Sequence, residues 1–328
     1  MAANTDDNAL IEGVTINTET CEYAEITWTK ITNAHGAEVM KRPVGNYITI
    51  ESDVVKSGNH EEIEELIEVV SSYLTRLINL KENDSVLIVG LGNNKVIADA
   101  LGTRTAEMIF PSNHLIDYAR EMNCTPLRPV SIIVPGVMGT TGINTREIIK
   151  GICTQIKPSL VIAIDALTAK KTERLHNTIQ MTDTGISPGA GIGYSRGIID
   201  ADFLGTPIIA MGIPTTIKAV TLVRDTLTLA LTAKTTESSD VNGNDLNAIL
   251  EAITDDELTC CLQALLEPCS EDMYLTSKDI GIITEHSAFI IASAINRVLH
   301  PGIAEFLEIH SDMPASVKSN KKSFQVGD

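Results

Sequence analysis

Val86-Leu-Ile-Val-Gly-Leu-Gly-Asn-Asn-Lys-Val-Ile-Ala-Asp-Ala-Leu-Gly102 is the stretch whose reading decides the fold. An apolar run ends in a glycine turn, and an acid, Asp99, follows within a second apolar segment. Leu160-Val-Ile-Ala-Ile-Asp-Ala-Leu167 repeats the theme with Asp165. Neither run holds a turn residue before its end, so each reads as a strand buried on both faces of a parallel sheet. Ligands and reacting groups collect outside the carboxyl ends of such strands. Asp99 and Asp165 stand at those ends, although an aspartate there can also cap the next helix. Pattern alone leaves both readings open.

Working outward, the spacing predicts a strand over 85–89, a helix over 96–108, a strand over 129–134, a helix over 145–154 and a strand over 160–164. That alternation specifies βαβ units with right-handed crossovers. The expected architecture is a three-layer α/β fold with a mostly parallel central sheet. Upstream, 25–31 and 45–51 alternate like two strands of a hairpin around Asn33-Ala-His-Gly36, and 61–80 carries apolar residues at helical spacing. Downstream, strands are expected at 191–194 and 206–211 and a helix at 217–231. A Thr/Ser/Asn-rich loop over 232–245 follows, then a helical C-terminal addition with helices at 246–252, 257–266 and 277–299. Residues 1–22 read as a flexible arm or an extended edge segment and 313–328 as a disordered tail, with 1–328 forming a single domain.

The chain has 328 residues, 43% of them hydrophobic but only 4% aromatic, so aliphatic side chains must supply the core. No apolar run approaches the ~20 residues of a membrane span, and the start lacks the pattern of a secretory signal, so a cytoplasmic location without membrane contact is expected. A net charge of −18 opposes direct nucleic-acid binding and suits solubility. Six cysteines without Cys-x-x-Cys spacing read as reduced thiols.

Several motifs invite chemistry. Gly90-Leu-Gly92 after a strand resembles half a dinucleotide fingerprint, but the third glycine is absent and Lys95 stands in its place. Asp183-Thr-Gly185 is the tripeptide of all-β aspartic proteases, yet here it opens a loop rich in glycine, 185–193, which can equally be structural or line a site. The seven histidines lack paired ligand spacing, so no metal site is expected; His176 alone lies near a motif. No Gly-x-Ser-x-Gly occurs. Hydrolysis by carboxylates remains. Two acids a few ångströms apart cannot both ionise, and their split affinities for a proton let one act as base and the other as acid around a water.

Successive blocks of the chain resemble one known family in that family's order. These are Gly90-Leu-Gly92-Asn93 with Asp99-Ala-Leu-Gly102, Pro135-Gly-Val-Met-Gly-Thr-Thr-Gly-Ile143, Val161-Ile-Ala-Ile-Asp-Ala-Leu167, Asp183-Thr-Gly-Ile186 with Pro188-Gly189, and Gly212-Ile-Pro-Thr215. The resemblance is to the germination proteases of spore-forming bacteria and covers roughly 10–305. It implies an atypical aspartic-type endopeptidase, made as a zymogen, that begins degradation of small acid-soluble spore proteins in the germinating spore's core, as a homotetramer without a cofactor. Asp99 and Asp165 match its essential aspartates. Gly92, Asn93, Gly136, Gly139, Asp183, Gly185 and Gly189 are the expected substrate-binding and loop positions, with 136–142 and 185–193 supplying backbone donors. The family's fold is similar to that of the hydrogenase maturation peptidases, whose metal-ligating histidine has no match here. Family members carry an Arg-Thr-Asp-Leu-Ala-type propeptide segment that has no match upstream of Ile11, and Lys95 and Lys218 also depart from the pattern. A metal-dependent maturation-type peptidase and an inactive peptide- or nucleotide-binding paralogue stand as alternatives.

Overall fold

The computed structural model describes residues 11–57, 59–121, 127–190, 197–237 and 273–303, with isolated helical positions at 257, 260 and 264. The strands are β1 (Val14–Thr20), β2 (Glu25–Ile31), β3 (Gly45–Glu51), β4 (Val86–Gly90), β5 (Val130–Ile133), β6 (Leu160–Ala169), β7 (Thr178–Thr182), β8 (Ile208–Lys218) and β9 (Tyr274–Leu275). They form one sheet in the order β1-β2-β3-β7-β8-β6-β4-β5, with β9 added to the end of β8.

The sheet is mixed, which corrects the expectation of a mostly parallel one. β8, β6, β4 and β5 run parallel, whereas β1, β2, β3, β7 and β8 pair antiparallel in turn. The reason lies in the link from β6 to β7, which is too short for the dozen or more residues of a parallel crossover and forces a reversal. Each half shows its type in its side chains. β4 is buried at all five positions, while β1 at the edge is exposed at six of seven.

The helices are α1 (Ala34–Met40), α2 (Val54–Ser57), α3 (His60–Leu77), α4 (Leu101–Met108), α5 (Ile116–Glu121), α6 (Met138–Thr141), α7 (Thr145–Ile156), α8 (Ala201–Leu204), α9 (Ala219–Glu237) and α10 (Ile280–Leu299). On one face, α3, α4 and α10 bury Ile63, Leu66, Leu101, Phe289 and Ile290 against Ile88, Ile162, Ile164 and Met211. On the other, Ile149 and Cys153 of α7 and Leu204 of α8 meet Leu87, Val89, Val161 and Ala163. Neighbours in sequence thus alternate between two cores, as a strand's period of two requires.

One open alternative is decided and three further expectations need correction. Of the two readings for 1–22, the edge segment holds over β1, whose seven residues pair in register with β2. The hairpin turn is a helix, because Asn33 accepts the Gly36 N–H at 2.8 Å and so caps α1. The loop expected from 232 begins later, since α9 continues to Glu237. The C-terminal helix is no addition: α10 lies at the centre of the first core, buried at 15 positions. It is apolar and long enough to cross a membrane, but 78% of its apolar window is buried inside the body. The expected strand at 191–194, the tail over 313–328, the helix at 246–252 and most of that at 257–266 lie outside the described residues.

Candidate active site

β4 stops at Gly90, level with Ile164 of β6, but β6 runs on to Ala169 and β8 to Lys218. Asp165 is therefore not the last residue of its own strand, as the sequence suggests; it stands where the neighbouring strand has just ended. Its level is shared with Gly212 of β8. The chain leaving β4 folds over this step. The Leu91 N–H donates to the Ile164 carbonyl at 2.8 Å, and the short 3-10 turn Ile97–Asp99 then brings Asp99 over the sheet end before α4 begins at Leu101. The helix expected from 96 thus starts five residues later, which leaves Asp99 in the turn and not inside a helix.

Two glycines make the close approach possible. Gly92 has φ +99°, and a methyl group on it would strike the Asp99 carbonyl oxygen. Gly102 lies so close to the Ile164 carbonyl that a side chain there would collide with it. Hydrogen bonds fix the turn from three sides. The Asn93 N–H donates to the Asp99 carbonyl at 3.0 Å, the Thr215 hydroxyl of β8 to the Ala98 carbonyl at 2.6 Å, and the Thr284 hydroxyl of α10 to the Ile97 carbonyl at 3.5 Å. The Thr215 carbonyl in turn accepts from the Thr276 hydroxyl at 2.6 Å and from His176 Nε2 at 2.9 Å. Burial holds His176 below its usual pKa, so its ring is neutral, and with a carbonyl as partner Nε2 carries the hydrogen. Its role is to support the turn through Thr215. His176 and Thr215 stand out in the sequence, one as the histidine near a motif and the other inside the Gly212-Ile-Pro-Thr215 block, but their supporting role is not readable from it.

Asp165 is 7% exposed and Asp99 half-buried. Burial pushes the Asp165 carboxyl up to about 8, and the charge of Asp99 adds to the rise, while the Ala166 N–H, which donates to its Oδ1 at 3.0 Å, opposes it. Burial raises Asp99 to about 6, against the backbone N–H of Asn93. At neutral pH the arrangement holds one carboxylate and one carboxylic acid in electrostatic contact, the protonation pattern needed for joint base and acid catalysis.

The other predicted positions divide by their place in the sheet. Gly136, with φ +71°, and Gly139 of α6 follow β5, whose end is level with that of β4, so 136–142 lies at the same end as the acids. Asp183 does not. β7 runs antiparallel, with Gln180 level with Gly212, and Asp183 three residues further on lies ~10 Å away along the strand direction. Its carboxylate instead accepts the Asn46 N–H at 2.7 Å and the Asn46 side-chain amide at 2.6 Å, tying the end of β7 to the start of β3. Gly185, at φ +93°, packs against Ile199 and Asp200, and the Ile186–Ile199 bridge carries this loop onto the α7 side of the sheet, with Gly189 on the same segment. Lys95 is exposed, and Lys218 lies 5.9 Å from the Tyr274 ring.

Comparison with known proteins places the chain in a family. A family model described as germination protease matches residues 1–247. The germination protease of Caldanaerobacter subterraneus subsp. tengcongensis is 38% identical over 295 residues, covering 90% of each chain. Those of Clostridium perfringens and Priestia megaterium are 38% and 33% identical, over 90% and 88% of this chain and 91% and 87% of their own. A paired-acid site on a mixed α/β sheet and a match of this extent lead to one conclusion: the chain belongs to the germination protease family.

Proposed function

We propose that this enzyme is an endopeptidase that starts the degradation of small acid-soluble spore proteins during germination, in the spore core, through an aspartic-type mechanism. The observation that carries the reading is the placement of half-buried Asp99 over the sheet end beside buried Asp165, where burial and the charge of Asp99 raise Asp165 to about 8 and burial raises Asp99 to about 6. Asp99 takes a proton from water as the water oxygen bonds to the peptide carbonyl carbon. Asp165 gives its proton to the amide nitrogen as the carbon–nitrogen bond breaks, and the proton on Asp99 returns to Asp165 through solvent. Backbone N–H groups of 136–142 stabilise the oxyanion. A homotetramer is part of the same proposal, and light scattering is expected to give a mass near four times the 35.3 kDa of the chain; a monomer mass overturns it.

The test is cleavage of a purified small acid-soluble spore protein. Asp99→Asn lowers kcat/KM by ~10³-fold or more, and full activity in that variant sinks the mechanism. For the native enzyme, kcat/KM rises with pH as Asp99 ionises near 6 and falls as Asp165 loses its proton near 8, giving a bell. A profile flat across both values refutes the assignment of base and acid.

A further inference from the structure

The end of β4 leaves an unusual vacancy in the sheet beside Asp165. β6 pairs with β4 only through Gly90↔Ile164 but continues to pair with β8 through Ala169. On the side β4 has left, the Ile164 carbonyl still finds Leu91. Residues of the same parity, Ala166 and Thr168, turn their backbone groups to that side, since a strand alternates. The Ala166 N–H bears this out: it bonds not to β8 but to the carboxylate of Asp165. Among the described residues, no strand pairs with this edge of β6 beyond Ile164, and Ala166, Leu167 and Thr168 are each partly exposed. Buried sheets seldom leave such an edge, because open backbone groups act as a template for another chain.

We propose that this edge is the substrate platform: an extended peptide segment adds as a strand along Ala166–Thr168 and is thereby delivered to Asp99 and Asp165. The occupant is an unfolded or flexible polypeptide, recognised first by its backbone. Continuity argues for this occupant over a folded partner. The open edge begins at the residue after Asp165, and it is short, so it holds a few residues of one chain on either side of a bond to be cut. Strand addition gives affinity through main-chain hydrogen bonds and leaves side-chain choice to neighbouring pockets. The inference rests on the peptidase reading and assigns its substrate-binding surface.

The experiment uses a fluorogenic decapeptide taken from a small acid-soluble spore protein, and a series in which one amide N–H at a time is N-methylated. Added-strand binding predicts a period of two: alternate positions lose ~10-fold or more in kcat/KM while those between stay within ~2-fold. Loss without alternation, or no loss, overturns the proposal. Thr168→Pro removes one N–H of the platform and is expected to raise KM ~10-fold with the melting temperature held within a few degrees; an unchanged KM counts against it. Hydrogen exchange separates this inference from the catalytic one. Slowed exchange at 166–168 on addition of the peptide without any turnover supports the platform and refutes the peptidase. Turnover with unchanged exchange does the reverse.

Discussion

Two aspartates lie on the same sheet and do opposite work. Asp183, in a tripeptide that signals catalysis elsewhere, has its carboxylate met by both nitrogens of Asn46. Asp165, inside a plain apolar strand, is buried with one N–H for company and another acid as neighbour. A carboxylate met by donors on both oxygens holds structure together. One stripped of water without compensation keeps its proton and can donate it. Solvation, not the motif, separates the structural acid from the chemical one.

The comparison breaks most sharply in activity. Asp165→Asn is expected to lower kcat/KM by ~10³-fold or more, and Asp183→Asn by less than ~5-fold; equal losses on a spore-protein cleavage assay would abolish the distinction. Gly92→Ala comes next. Its positive φ and the methyl's collision with the Asp99 carbonyl displace the turn that carries the base, for ~10²-fold in kcat, since ångström shifts at a reacting group have that cost. Thr215→Val removes the hydroxyl that holds Ala98 and is expected to lower kcat ~10-fold with KM little changed. In thermal melts, Asp183→Ala costs ~1–3 kcal/mol by leaving the Asn46 N–H and amide unpaired.

One effect on stability has the opposite sign. Because the Asp165 pKa is raised on folding, from an unfolded value near 4 to about 8, its contribution is neutral below pH 4 and becomes a growing penalty as pH rises through that window. Asp165→Asn therefore melts with the native protein at pH 4 and gains on it as pH rises to 8. Acid-side stabilisation instead would mean that Asp165 is ionised in the fold.

Asp99 and Asp165 were legible as acids at the ends of buried apolar runs, although that pattern alone also allowed helix caps and only the resemblance of the surrounding blocks singled the pair out. Their support was not. Thr215 and His176 act through backbone carbonyls far away in sequence, and no spacing announces such partners. The mixed sheet was half legible: β7, Thr178–Thr182, is only five residues long, yet the brevity of its link to β6 already excluded a parallel crossover. β1 was hidden for a different reason. Val-Thr-Ile-Asn-Thr-Glu-Thr pairs through its backbone while almost every side chain faces water, so hydrophobic periodicity had nothing to report.

That exposed strand also bears on how the protein behaves in a crowded solution. A nine-stranded sheet has two rims at which further copies could stack into fibres. One is β5, only four residues long; the other is β1, whose threonines, asparagine and Glu19 favour hydration over contact, with Glu19 shared with Arg76 at 3.7 Å. With a chain charge of −18, approaching copies also repel. Colloidal persistence at high concentration is thus written into the least hydrophobic strand of the fold.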